Sequence, residues 1–484
     1  MHFLIITRFI AILIFFLGIS MGAPVLASII HQDGCTIELL ISTLITTVFG
    51  LILFLFIKSI KSEDVHLSHR DGIIIVTFGW ILAGLFGALP YLFSGAIPHF
   101  TDAYFESISG FTTTGASMLF RIESLPEGIL LWRSQTQWFG GMGIIVLSIA
   151  ILPFLGVGGM QLYRAEIPSP VMDKLKPRIS ETAKTLWKVY LLITFAQIIL
   201  LFFGGMPLFD AICHAFCTMP TGGFSTKNAS LNHYNSPYFD YIIIIFMLLA
   251  GINFSLHYKM LRGDIKIFGK DPECRFFLIL VGVFTIIITV NIYGPIYGSF
   301  LKAFRYAAFQ VSSIITTTGF VTADYEKWPA LSRLILLCCM FIGAMAGSTG
   351  GGMKTMRIML LIRHGYQEIF RIIHPHAITT VKLGGRPVPP EILNSIWGFF
   401  ILYIGLFVVA TLIMASLGLD FISSVTSVAA SIGNIGPGLG IVGPVKNYFD
   451  IPPAGKWVLS FCMLLGRLEI YTVIVLFTPE YWRK

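Results

Sequence analysis

Apolar runs long enough to cross a bilayer recur from one end of this 484-residue chain to the other, and no other feature restricts its fold as severely. Crossing roughly 30 Å of hydrocarbon takes about 20 residues of helix. Ten runs qualify: 3–30, 37–60, 71–94, 129–155, 184–205, 239–261, 276–297, 330–362, 392–418 and 456–478. They leave no room for a large soluble domain. Composition agrees, with only 12% charged residues where soluble domains carry about 25%. The first run is too long for the core of a secretion signal and has no small-x-small cleavage pattern before Gln32, so it is expected to remain as a helix.

The formal net charge of +8 raises the question of nucleic acid, but the basic residues are spread over short loops and form no patch. No nucleic-acid partner is expected; the surroundings are the lipid bilayer. The loops near 58–70, 164–188, 259–275 and 354–386, with both termini, hold 23 of the 33 Lys and Arg, and the opposite side holds nine. By the positive-inside rule both termini are expected in the cytoplasm. The cysteines Cys35, Cys213, Cys217, Cys274, Cys338, Cys339 and Cys462 sit mostly in apolar segments without CxxC spacing and read as packing residues.

Between alternate pairs of runs lie Gly-, Thr- and Ser-rich segments too apolar for ordinary loops and too broken to span, which read as re-entrant. They are copies of one another. Asp102-Ala-Tyr-Phe-Glu-Ser-Ile-Ser-Gly-Phe-Thr-Thr-Thr-Gly115 matches Asp210-Ala-Ile-Cys-His-Ala-Phe-Cys-Thr-Met-Pro-Thr-Gly-Gly223 at a constant offset of 108. Ala307 to Gly319 repeats the Thr-Thr-Thr-Gly ending, and Ser423 to Gly436, the weakest match, ends in Gly-Asn-Ile-Gly. The unit is helix, short pore helix, glycine-containing loop, helix. The fold class is therefore an all-α polytopic membrane protein with four pseudo-symmetric repeats around one pore plus two N-terminal transmembrane helices. The expected division is 1–65 for the leading pair, then repeats at 66–160, 161–265, 266–365 and 366–484.

A cation leaving water needs several oxygen atoms, and backbone carbonyls from four loops supply them. Glycine lets such a loop take left-handed angles. Thr113, Thr114 and Gly115, with Thr221, Gly222 and Gly223, Thr317, Thr318 and Gly319, and Asn434, Ile435 and Gly436, are thus the expected selectivity filter, with potassium as its ion. Asp102 and Asp210 stand where pore helices would begin and are expected to cap them. A single Thr-Thr-Thr-Gly would read as close helix packing; four at equivalent places between span pairs favour a filter.

The run 330–362 is interrupted by Gly347, Ser348, Thr349, Gly350, Gly351 and Gly352, a stretch that helix propensity disfavours by about 1 kcal/mol per glycine. Irregular backbone at membrane depth survives only inside protein or beside water, so the stretch is expected beneath the filter as an intramembrane gate, with a packing kink as the plainer alternative. A phosphate-binding Gly-x-x-x-x-Gly-Lys loop is excluded by Met353 at the lysine position. Arg467 lies within the last run at a cost of roughly 2.5–3.5 kcal/mol and needs a polar partner; Glu469, two positions on, is off its helix face. A role at the gate and a salt bridge to another span both remain open.

A proton- or sodium-coupled transporter of another solute is the alternative function, although four units in one orientation argue against inverted repeats. No enzyme is expected. His374, His376 and Glu368 make the only cluster that resembles a metal site, within a basic loop better suited to partner or headgroup contact.

At the repeats, and at Gln137-Trp-Phe-Gly-Gly-Met-Gly143, Gly158-Gly-Met-Gln-Leu-Tyr-Arg-Ala-Glu166, Gly347-Ser-Thr-Gly-Gly-Gly352 and Phe477-Thr-Pro-Glu-Tyr-Trp482, the chain resembles the potassium-translocating subunits of the bacterial Trk/Ktr uptake systems, relatives of the plant HKT transporters. The likeness spans essentially the whole length, and the two leading helices make the TrkH type the best fit. The resemblance implies potassium uptake across a bacterial inner membrane, a homodimer with a pore in each protomer, and a cytoplasmic nucleotide-binding ring, TrkA. It implies potassium as the substrate and no organic cofactor. It also implies that a filter glycine in every repeat accompanies potassium preference, that serine in the first accompanies sodium, and that Arg467 faces the pore near the gating loop. Each loop lacks the second glycine and the tyrosine of the TVGYG filter, so the expected selectivity is incomplete.

Overall fold

A computed structural model describes residues 2–58, 68–150, 179–377 and 379–483. The expected boundaries at 65/66 and 160/161, the motif 158–166 and the end of the fourth run fall outside them. The described residues are almost entirely helical, with one small hairpin pairing Lys382–Leu383 with Arg386–Pro387.

The leading pair comprises Phe3–Ser20 continued by Gly22–His31, and Thr36–Lys58. The two helices touch backbone to backbone: a methyl on Gly18 would overlap Thr47, and one on Gly50 would overlap Phe15. In hydrocarbon, where apolar burial drives nothing, such close approach is what joins helices. Each following unit has an outer helix, a pore helix and an inner helix. The outer helices are His69–Gly87, Ile179–Phe203, Pro272–Tyr293 and Pro390–Ser416. Polar side chains cap the starts of two of them. Ser68 and Asp71 form a reciprocal capping box, and Asp271 accepts from Cys274 N–H at 2.8 Å ahead of Pro272 at the first helical position.

The pore helices, Phe100–Phe111, Leu208–Thr218, Phe300–Ile315 and Phe421–Ile432, are too short to span and are buried along nearly their whole final turns. Asp102 and Asp210 lie in the first turns but cap nothing: the cap positions are His99 and Pro207. Both carboxylates are drawn to stronger partners, Asp102 to Lys456 at 2.8 Å and Asp210 to Thr226 at 2.7 Å and Tyr234 at 2.8 Å. Capping occurs in the fourth repeat instead, where Asp420 accepts from Ile422 and Ser423 N–H.

The ten runs do not all form continuous helices among the described residues. Among the described residues six helices are long and apolar enough to cross, and two further helix pairs are sharply bent. Pro237–Gly251 turns by 103° into Phe254–Leu261, and Pro453–Arg467 turns by 117° into the segment from Ile470 to Phe477. Ala330–Phe341 and Thr355–Ile373 are separated by the glycine-rich stretch. Only that last break was legible in the sequence. The other two rest on single residues: Asn253, whose side chain caps the new helix at Ser255 N–H, and Glu469, held at φ 63°. The first inner helix, Glu127–Ala150, runs unbroken through the described residues.

Candidate ion pathway

The four pore helices end in the same way. In each, the residue two before the filter glycine is left-handed without being glycine: Thr113 (φ 52°), Thr221 (59°), Thr317 (60°) and Asn434 (54°). The next residue returns to negative φ, and the glycine is again positive at 79°, 79°, 79° and 95°. The left-handed residue donates its N–H three residues back, at 2.9 to 3.2 Å, to Gly110, Thr218, Ile314 and Ser431. The following residue donates five back, at 2.8 to 2.9 Å, to Ser109, Cys217, Ser313 and Ala430. This is a Schellman helix end with threonine or asparagine where glycine usually stands. Its N–H groups point into the pore helix, so the loop presents carbonyl oxygens on its other side. A β-branched residue at positive φ is a genuine outlier, and such strain, about 1–3 kcal/mol each, persists only where surroundings impose it.

The loops meet as a closed ring. A methyl on Gly115 would overlap the Gly222 carbonyl oxygen, one on Gly223 that of Thr318, and one on Gly319 that of Ile435, while one on Gly436 would sit 2.7 Å from that of Thr114. Each repeat's glycine abuts the next repeat's carbonyl in the order one, two, three, four and back to one. All twelve expected filter residues lie in this ring, including the weakly matching Asn434, Ile435 and Gly436.

The ring is not perfectly fourfold. Gln137 donates to Gly222 O at 2.7 Å and accepts from Phe224 N–H at 3.1 Å; Tyr448 donates to Gly436 O at 2.5 Å. These two carbonyls keep one lone pair for other company. A polar residue nine positions before the filter glycine braces three of the rising loops from behind. Glu106 accepts from Met118 N–H at 2.7 Å, His214 meets Ser225 at 3.0 Å, and Gln310 donates to Thr322 at 3.2 Å. The shared register was available in the repeat alignment, although the residue types differ too much to announce it.

Polar links also join neighbouring repeats. Arg133, paired with Glu106 at 2.9 Å, reaches Ser225 O at 3.1 Å; Arg305 meets Asp240 at 3.3 Å; Glu326 accepts from Gly440 N–H at 2.6 Å; and Lys456 meets Asp102. Every adjacent pair in the ring thus has one.

The stretch 347–352 lies directly beneath the ring. Thr221 Oγ1 donates to Thr349 O at 3.0 Å, and Gly351 N–H donates to Thr317 Oγ1 at 2.7 Å. Gly351 has no room for a side chain against Gly433 O and Asn434. Strained residues from three repeats therefore rest on this loop. Thr349 Oγ1 is bonded to Met219 O at 2.8 Å, and Lys354 Nζ donates to Gly350 O.

Arg467, 2% exposed, donates Nη1 to Thr349 O at 2.6 Å and Nη2 to Gly140 O at 3.2 Å. Among the described residues no carboxylate reaches it, so of the two readings left open the salt bridge is absent there and carbonyl contact is present. Glu469 pairs instead with Arg357 at 2.8 Å. No three His, Cys, Asp or Glu among the described residues converge at metal-binding spacing; Glu368 is engaged by Arg371 at 3.0 Å.

Four re-entrant helices closing one ring inside a multi-pass helical bundle define a pore-loop membrane transport protein. Residues 42–484 match the TrkH family, described as a cation transport protein, and the chain belongs to that family, which comprises transporters and not enzymes. It is 46% identical to the Trk system potassium uptake protein TrkH of Salmonella typhimurium and 45% identical to that of Escherichia coli K12, over 100% of both chains in each case. It also resembles the crystal structure of the potassium transporter TrkH from Vibrio parahaemolyticus, with a TM-score of 0.91, 39% identity and 100% of both chains covered.

Proposed function

We propose that this chain takes up potassium across a bacterial inner membrane through the ring of Thr113 to Gly115, Thr221 to Gly223, Thr317 to Gly319 and Asn434 to Gly436, with both termini in the cytoplasm. The observation that carries the reading is the cyclic abutment of Gly115, Gly223, Gly319 and Gly436 on the next repeat's carbonyl. Partially dehydrated potassium fits oxygen rings held at fixed spacing by bonds on their far side. Full-length relatives named as potassium uptake proteins support the choice of ion.

The loop 347–352 is the gate. It blocks the path under the ring, and Arg467 places a positive charge on it that both holds Thr349 O and repels an approaching cation. Opening requires the loop to leave Thr221, Thr317 and Arg467. A TrkA-type cytoplasmic ring that binds nucleotides supplies the control, and the protein works as a homodimer with one pore per protomer. Membership of the family supports both assignments.

Ion flux in proteoliposomes tests the central reading. Potassium and rubidium are expected to pass well, with a measurable sodium leak. Equal sodium and potassium flux contradicts the potassium filter, and uptake that follows an imposed proton or sodium gradient, with no ion selectivity of its own, favours the coupled-transporter alternative.

A further inference from the structure

The gating stretch has two limbs, 342–346 and 353–356, that run side by side in one direction. Gly343 N–H donates to Met353 O at 2.7 Å, Thr355 N–H to Ala344 O at 3.1 Å, and Ile342 forms a parallel bridge with Met353. This short ladder stops before Ala346 and Met356. Their two N–H groups end on a single atom from outside the loop: Glu273 Oε1 accepts from Ala346 at 2.9 Å and from Met356 at 3.2 Å. Glu273 is 0% exposed. It stands in the first turn of the outer helix Pro272–Tyr293 and faces the first turn of Thr355–Ile373, so two positive helix ends meet its carboxylate.

We propose that Glu273 is a positioning residue of the gate: one carboxylate oxygen fixes both feet of the glycine-rich loop to a rigid outer helix, leaving the tip around Thr349 to Gly351 as the part that moves. The proposal rests on reading 347–352 as the gate. The bonds differ between feet and tip in what they join. At the feet two backbone N–H groups share one carboxylate oxygen on a rigid outer helix. At the tip single hydroxyl and amide contacts run to Thr221 and Thr317, and Arg467 and Lys354 each donate to one loop carbonyl. A loop with fixed feet swings and returns to one position under the filter; a loop with loose feet does not reseal.

The test compares Glu273→Ala, Glu273→Gln, Glu273→Asp and Arg467→Ala in the full-length protein, by basal potassium flux in proteoliposomes and by amide hydrogen exchange over 342–356. Glu273→Ala is expected to raise basal flux roughly fivefold, the effect of about one lost net hydrogen bond, to quicken exchange, and to leave the potassium-to-sodium ratio unchanged. Glu273→Gln keeps an oxygen at the same reach but loses the charge, and is expected to leak less than alanine. Glu273→Asp keeps the charge but falls a methylene short, and is expected to leak; it stands in for alanine if that variant does not fold. Raised flux in Arg467→Ala with wild-type flux and exchange in Glu273→Ala overturns the role of Glu273, as does a glutamine variant as leaky as alanine. Unchanged flux in both Arg467→Ala and Glu273→Ala overturns the gate reading beneath it.

Discussion

The ring of loops and the inner helices that follow them both occur four times along the chain, and their four copies differ to very different degrees. In the ring, four sequences as unlike as Thr113-Thr-Gly115 and Asn434-Ile-Gly436 take one backbone path, with the same two positive φ angles and the same pair of bonds to the pore helix. Among the described residues one inner helix runs unbroken, two bend by more than 100°, and one is interrupted by a glycine-rich loop. An ion at the centre of a ring reads only backbone oxygens, so symmetry there tolerates side-chain change. The proposed gate would need one element to move while the others stay, and four identical inner helices would provide no such element.

The largest effect should come from adding atoms to the ring. Gly319→Ala places a methyl against Ile435 O at a positive-φ position and is expected to cut potassium flux at least about tenfold and to degrade selectivity. Gly282→Ala, where the structure leaves open space, is the matched control and should be silent. Equal tolerance at both sites would end the argument that the ring is tightly closed.

Next is the joint between repeats four and one. Lys456→Met leaves Asp102 buried and uncompensated, and is expected to lower stability by about 3 kcal/mol, measured as the thermal midpoint in detergent. Asp102→Asn combined with Lys456→Met should recover most of it. Without that recovery the pair is not what joins the two repeats.

The contact between ring and gate is finer. Thr221→Val removes the hydroxyl bond to Thr349 O and keeps the side-chain shape; about 1 kcal/mol is at stake. Basal flux should rise a few-fold while the potassium-to-sodium ratio holds. A change of selectivity without a change of basal flux would show that the strained threonines serve the ring alone.

The smallest effect concerns the outer end of the fourth pore helix. The Ser423 hydroxyl, with the Ser423 and Ile422 N–H groups, holds the Asp420 carboxyl below its ordinary 3.8. Its capping contribution is therefore present above that pH and lost as pH falls through the lowered value. Asp420→Ala should cost about 1 kcal/mol at neutral pH and little once wild-type Asp420 is itself protonated, measured by thermal unfolding across pH.

Sequence reading located the ring because its signal is local: a glycine just after each short pore helix recurs in four copies even where Asn434 and Ile435 stand in place of threonines. It located Arg467 because a cation in an apolar run is conspicuous. It placed Asp102 and Asp210 at the right turns but gave them the wrong work, since a cap is a contact with nearby backbone and their actual partners, Lys456 and Tyr234, come from elsewhere in the chain. The bends after Gly251 and Arg467 were missed because hydropathy averages over a run and does not register one left-handed residue such as Glu469.

The amino-acid sequence alone determined that this chain spans a membrane repeatedly, that it carries four copies of a pore-loop unit, and which glycines stand at equivalent places in them, because hydropathy and repetition are properties of short stretches. Only the tertiary structure decided the order in which the loops abut, the seating of Thr349 under Thr221, and the meeting of Glu273 with a loop 73 residues away. Such contacts form between groups far apart in the chain, where no local pattern selects the partner and packing alone brings donor to acceptor.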